Sequence, residues 1–152
     1  MFVKTTMTVY PTSGYNSYIS RIDAVEYFEG RLHSDEFLGT DRSLTYVETQ
    51  KAALLTAFRS LQELSYNIEY DDDDVIDSSY YTAAQIATIL QALKNAQCEQ
   101  ALYELKIDHD QQFSSLGLPD LRMTKKEMPR YSPRALAILG PYVYQPTISV
   151  TR

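Results

Sequence analysis

A chain of 152 residues, 44% of them hydrophobic, is long enough for one domain with a modest core. Its single cysteine, Cys98, excludes an intrachain disulfide, and a formal charge of −6 argues against a dedicated nucleic-acid binder. No run reaches the roughly 18 apolar residues of a membrane span, and the apolar start is too short for a signal peptide. The expectation is a soluble protein of a reducing, intracellular compartment.

In chain order, residues 1–19 are rich in Tyr, Thr and Ser, with turn residues at Pro11 and Gly14, and read as an extended N-terminal arm. Ser20 and Asp23 have the spacing of a capping box, and Ala24, Val25, Phe28 and Leu32 form a helical stripe, so a helix is expected over 21–32. Ser34–Leu38 adds a turn before Gly39. Thr45 with Glu48 opens a second helix to about Ser65, with Val47, Leu54, Leu55, Phe58, Leu61 and Leu64 as its apolar face.

Residues 66–81 hold six acidic side chains and no basic one, and read as a long structureless loop. Thr82 and Gln85 then form a second capping box. Behind them Ile86, Ile89, Leu90, Leu93, Ala96, Ala101, Leu102 and Leu105 keep one helical stripe apolar to Lys106, while Gln91, Lys94, Asn95, Gln97, Glu99, Gln100 and Glu104 fill most of the opposite face. This helix is the expected strut of the fold. Residues 107–131 show no sustained period and read as an irregular arm, with Leu118–Thr124 suited to a short strand. Ser132-Pro133 has the order of a helix start, Gly140-Pro141 stops that helix at about 139, and Tyr142–Arg152 is extended in character. The fold class is therefore all-α: a small helical bundle (20–140) around one long central helix, with long loops and an extended C-terminal tail (141–152).

Charge is distributed unevenly. Net charge is −2 over residues 1–65, −9 over 66–121 and +5 over 122–152. Such a chain can pair with copies of itself or meet two different partners, although the same pattern also serves plain solubility. Of thirteen tyrosines, nine lie in segments read as loops: Tyr10, Tyr15, Tyr66, Tyr70, Tyr80, Tyr81, Tyr131, Tyr142 and Tyr144. Tyrosine combines contact area with a polar tip, so this density hints at an assembly surface.

Motifs for chemistry are mostly lacking. The Asp71–Asp74 run has Ile76 and Thr82 where a calcium loop needs Gly and Glu, so a solvated acidic loop is expected. His33 and His109 have no partners at metal spacing, and Cys98 reads as a packing residue. No phosphate loop, dinucleotide fingerprint or nucleophile elbow is present, so neither an enzyme nor a cofactor is expected. Arg122, Lys125, Lys126, Arg130 and Arg134 form a basic segment with Tyr131 among them, a composition that suits intersubunit pairing or non-specific contact with DNA.

Four stretches, NSYISRIDAVEYFEGRL (16–32), ETQKAALLTAFRSLQEL (48–64), LKNAQCEQALYEL (93–105) and PRYSPRALAILGPYV (129–143), resemble in order and spacing the helical blocks of the head–tail connector, or adaptor, family of tailed bacteriophages. Related phage sequences are often labelled DnaT-like single-stranded-DNA-binding proteins, which supplies the alternative of a replication protein; a helical interaction module unrelated to virions is a further one. The resemblance covers about two-thirds of the chain, and departs from it in the loop 66–81 and the connection 107–121. It implies a structural virion protein of the neck, made in the bacterial cytoplasm, that forms a ring, commonly of twelve copies, under the portal protein. Such a ring extends the channel for double-stranded DNA and offers a surface to a tail-side connector, terminator or tail-tube protein, with no membrane involved.

In that family the C-terminal segment grips the portal, which here assigns the contact to Pro141, Tyr142, Val143, Tyr144, Gln145, Pro146, Thr147, Ile148, Ser149, Val150, Thr151 and Arg152. An extended Tyr/Ile/Val segment also suits strand addition to a partner's sheet edge. Asp71, Asp72, Asp73 and Asp74 would either line the channel and repel phosphates or meet the basic segment of a neighbouring subunit.

Overall fold

The computed structural model describes residues 6–39, 44–114 and 129–144, with side chains described for all but 44–45 and 108–114 of these. Five α-helices account for most of them: α1 (Arg21–Glu29), α2 (Asp35–Leu38), α3 (Leu44–Gln62), α4 (Ala83–Ser114) and α5 (Pro133–Leu139). Among the described residues there is no β-strand, only isolated bridges, so the chain is all-α.

Helix starts lie where the capping residues place them. The Ser20 hydroxyl accepts from the Asp23 amide, and the Ser132 hydroxyl accepts from Ala135. At α4 the box is reciprocal: Gln85 N–H donates to Thr82 Oγ1 at 3.2 Å, while Thr82 N–H donates to Gln85 Oε1 at 2.9 Å. The ends differ more from expectation. α1 stops before Gly30, which leaves Leu32 outside the helix and 83% exposed rather than in the stripe. α4 runs on to Ser114, so the first part of the expected irregular arm 107–131 is helical; residues 115–128, with the suggested strand Leu118–Thr124, lie outside the described residues.

α4 is the axis of the packing, with α3, α5, α2 and α1 all laid against it. One apolar cluster joins Phe58 and Leu61 of α3, Ile89, Leu93 and Ala96 of α4, and Ala135 and Leu139 of α5. A second joins Ala24 and Phe28 of α1, Phe37 of α2, Leu54 and Ala57 of α3, and Ala101 and Leu102 of α4. The apolar stripe of α4 is as expected, but its polar face is not. Every residue from Ala96 to Leu102 is buried, which includes Gln97, Glu99 and Gln100, assigned above to the solvent side. Periodicity missed this because a helix covered on all sides still needs polar groups where irregular backbone must be held.

Gln97 shows the reason. Its Oε1 accepts from the Tyr18 amide at 2.8 Å, and its Nε2 donates to Ser17 Oγ at 2.7 Å and to the Leu54 carbonyl at 2.9 Å. Gln100 Oε1 accepts from the Ser132 amide at 2.8 Å, and its Nε2 reaches the Arg130 carbonyl at 3.3 Å and Glu104 at 2.9 Å. Gln50, on α3, donates to the Phe37 carbonyl at 2.7 Å and accepts from Arg21 at 3.1 Å. Glu99 is met by Arg31 and by the Tyr27 hydroxyl. No buried side-chain nitrogen or oxygen among the described residues lacks a partner.

Leaving a buried backbone group unpaired costs about 1–3 kcal/mol. Gln97→Leu keeps the volume but strands the Tyr18 amide, so it is expected to lower stability by roughly 2 kcal/mol in urea unfolding. Gln91→Leu, on the exposed face of the same helix, is expected to change it by less than about 0.5 kcal/mol. Equal effects would mean that the amide bonds contribute nothing beyond helix packing.

Candidate functional site

Of the residues that chemistry and charge single out, Asp71–Asp74 lie in the segment between α3 and α4, which the N-terminal chain embraces. This segment is not structureless. Ile68 and Ile76 are buried in the first apolar cluster, which draws the chain inward on both sides of the acidic run. Between them Tyr70 and Ile76 form an antiparallel bridge, with Asp71 N–H donating to the Val75 carbonyl at 2.8 Å and Asp77 N–H to the Glu69 carbonyl at 3.0 Å. Asp71 builds the turn, its Oδ1 accepting from the amides of Asp73 (2.8 Å) and Val75 (3.1 Å), and Asp74 takes a left-handed φ of 61°. Asp77 accepts from the Ser79 hydroxyl at 2.6 Å and amide at 2.8 Å, which hold its carboxyl below the usual value. The four carboxylates Asp71–Asp74 stand exposed at the tip. No group of three or more His, Cys, Asp or Glu among the described residues is placed to hold a metal ion.

Residues 6–19 are no free arm. Tyr10, Ser17, Tyr18 and Ile19 are buried, and the arm folds back on itself through a parallel Val9–Ser17 bridge and the Asn16 carboxamide, which accepts from the Thr8 amide at 2.7 Å. It then clamps the acidic turn. The Tyr10 hydroxyl accepts from the Ile76 amide at 2.9 Å, and the Tyr15 hydroxyl donates to the Asp74 carbonyl at 2.8 Å. Tyr10, Tyr15, Tyr18 and Phe58 form one aromatic cluster with ring centroids 5.0–6.1 Å apart. The loop tyrosines thus serve first as core: Tyr10 is buried, Tyr15, Tyr66, Tyr70, Tyr81, Tyr131 and Tyr142 are half-buried, and only Tyr80 and Tyr144 of the nine are exposed. The assembly-surface reading counted tyrosines in loops but did not see that the loops themselves fold inward.

The C-terminal segment is also held at its root. Gly140–Tyr142 forms a 3-10 turn, and Val143 bridges antiparallel to Tyr66. Asn67 N–H donates to the Tyr142 carbonyl and Tyr144 N–H to the Ser65 carbonyl, both at 2.9 Å, and the Asn67 carboxamide donates to the Pro141 carbonyl at 3.3 Å. Pro141–Tyr144 therefore belongs to the folded unit rather than to a loose tail; Gln145–Arg152 lies outside the described residues, as do Arg122, Lys125 and Lys126. Of the basic segment, exposed Arg130 pairs with Glu63 and lies 5.6 Å from the Tyr131 ring centroid, and Arg134 is exposed on α5. Cys98 is fully buried, and burial pushes its thiol up to about 12, which suits packing. Exposed His33 has a left-handed φ of 64°, and the side chain of His109 is outside the description.

No protein-family model, curated protein or solved structure matches the chain. No helix among the described residues is long and apolar enough to cross a membrane.

Burial raises the phenols of Tyr10, Tyr15, Tyr18, Tyr66 and Tyr70 above their ordinary value. The unfolded chain releases these protons near pH 10 and the folded chain retains them, so stability from the cluster is complete below about pH 10 and falls as pH rises beyond it. In an alkaline titration, tyrosinate absorbance from these rings is expected to appear in the same cooperative step that abolishes the helical circular-dichroism signal. Complete tyrosine ionisation near pH 10 with helices intact would contradict a sealed cluster.

Proposed function

We propose that this chain is a head–tail connector of a tailed bacteriophage: a small helical bundle that assembles as a ring under the portal, extends the DNA channel and joins head to tail. The observation that carries the reading is the order and spacing of the four sequence blocks. It is supported by the coincidence of those blocks with α1, α3, the middle of α4 and α5. The charge pattern, −9 in the middle third and +5 at the C-terminal end, suits the head-to-tail contacts a ring repeats between identical subunits. In this reading Gln145–Arg152 grips the portal by adding an extended segment to a sheet edge, and the Pro141–Tyr144 root aims it.

The test is co-sedimentation of tagged chain with DNA-filled, tailless heads, with copies per particle counted on a calibrated gel. About a dozen copies are expected, as the resemblance implies. A chain ending at Tyr144 is expected to keep its melting temperature and lose the heads; one ending at Gly140 also loses the pairing with Ser65–Asn67 and should melt lower. Absence of binding by folded full-length chain overturns the connector reading, and single-stranded-DNA binding that weakens steeply with salt would put the replication protein in its place. Within a ring the exposed Asp71–Asp74 tip either faces the channel or meets a basic neighbour. Substituting all four by Lys is expected to slow DNA ejection from intact particles in the first arrangement and to prevent ring assembly in the second.

A further inference from the structure

The arm and the acidic turn do more than close on each other: a cavity of about 350 Å³ remains between them. Five aromatic rings line it, Tyr15, Tyr18, Phe58, Tyr66 and Tyr70, with Asp74 as the one charged residue among the described residues of the lining. Three of the phenols are tied by hydrogen bonds at 2.8–2.9 Å, Tyr15 to the Asp74 carbonyl, Tyr18 to Gln62 and Tyr66 to the Leu61 carbonyl. The walls are thus set before any guest arrives, which reduces the ordering cost of binding.

Chemistry narrows the guest. The volume is at the small end for ligand pockets, of the order that one large side chain or a small organic molecule fills. An anion would meet Asp74 together with the exposed Asp71–Asp73 beside it in the turn, and is disfavoured. A purely apolar guest would gain nothing from that field. A planar guanidinium gains from both features, since it stacks on aromatic rings and pairs with carboxylates. The acidic character continues past the cavity: residues 66–81 carry six carboxylates and no basic side chain. That extended surface is complementary to several basic residues in a row, as a protein segment supplies and a single small amine does not.

We propose that this aromatic cavity receives the arginine side chain of a basic segment of a partner protein, with the acidic turn holding the charges that flank it. The site does not depend on the connector reading, since the cavity is complete within one chain.

The probe is an acetylated, amidated peptide Lys-Gly-Arg-Gly-Lys, titrated into the full chain while the tyrosine ring signals are followed by carbon–proton NMR. Saturable shifts are expected at Tyr15, Tyr66 and Tyr70, with Tyr80 and Tyr144 unmoved. The same peptide with citrulline in place of arginine has the shape without the charge and is expected to bind at least roughly ten-fold more weakly. Asp74→Asn, at an exposed position, should weaken the arginine peptide several-fold without altering the fold. Tyr70→Leu should abolish the ring shifts, and the citrulline comparison decides the matter on unmodified protein should that variant not fold. Equal binding of the two peptides, no saturable shift, or shifts confined to Tyr80 and Tyr144 would overturn the proposal.

Discussion

The burial of glutamine amides on α4 is the constraint from which the rest of this architecture follows. A carboxamide taken out of water must find partners for both its ends. Gln97 and Gln100 find most of them on backbone outside any helix interior: the amides of Tyr18 and Ser132 and the carbonyl of Arg130, with the Leu54 carbonyl of α3 as a further acceptor for Gln97. With no strand among the described residues, no sheet ladder is available to immobilise such backbone. The long helix does that work itself, through side chains at two points three residues apart on nearly the same face. Gln50 repeats the device from α3, where it holds the end of α2 and Arg21 at the start of α1.

From there the order spreads outward. Fixing Ser17 and Tyr18 to Gln97 fixes the arm; the arm carries Tyr10 and Tyr15 to the amide of Ile76 and the carbonyl of Asp74. Among the described residues, the acidic turn, whose four carboxylates repel one another, is thereby held by neutral contacts on its backbone rather than by counter-charges. No described basic side chain pairs with these carboxylates to offset their negative field. A turn held by lysines would have spent that field internally.

Much of this was legible in the sequence. The Thr82/Gln85 box, Ser20 and Ser132 placed helix starts to within a residue, and the three- and four-residue spacing of Leu54, Phe58, Leu61, Ile89, Leu93 and Ala96 identified the faces that pack. Those signals are local, and local signals survive translation into structure. Polarity alone was a mixed guide: Asp71–Asp74 and Gln91 are exposed as it suggests, but three polar residues of α4 are not. Gln97, Glu99 and Gln100 read as solvent-facing because they are polar, and residues 1–19 and 66–81 read as loose because they lack a period. Yet the three side chains are buried, and the described parts of those segments, 6–19 and 66–81, are held in place. Their order comes from partners 30 to 80 positions away in the chain, which no window along the sequence can contain. The cavity was invisible for the same reason. The clue was a high density of tyrosine in two separate non-helical segments, and tyrosine alone does not distinguish an outer contact surface from a hydrogen-bonded interior.

Tyr66 joins the two regions that the charge and composition marked separately. Its backbone bridges to Val143 at the root of the C-terminal segment, while its ring lines the aromatic cavity and its hydroxyl is tied to the Leu61 carbonyl at the end of α3. Tension applied to the chain beyond Tyr144 is therefore received first by the two backbone hydrogen bonds to Ser65 and Asn67, one residue to either side of that ring. Because the ring is anchored to α3 independently of the bridge, the cavity wall need not move with the tail. Coupling between the two would require the Tyr66 hydroxyl to leave Leu61, and a neutral, half-buried phenol with a carbonyl partner gains nothing by leaving. The fold thus keeps the root of the C-terminal segment and the aromatic cavity mechanically separate, although only one residue stands between them.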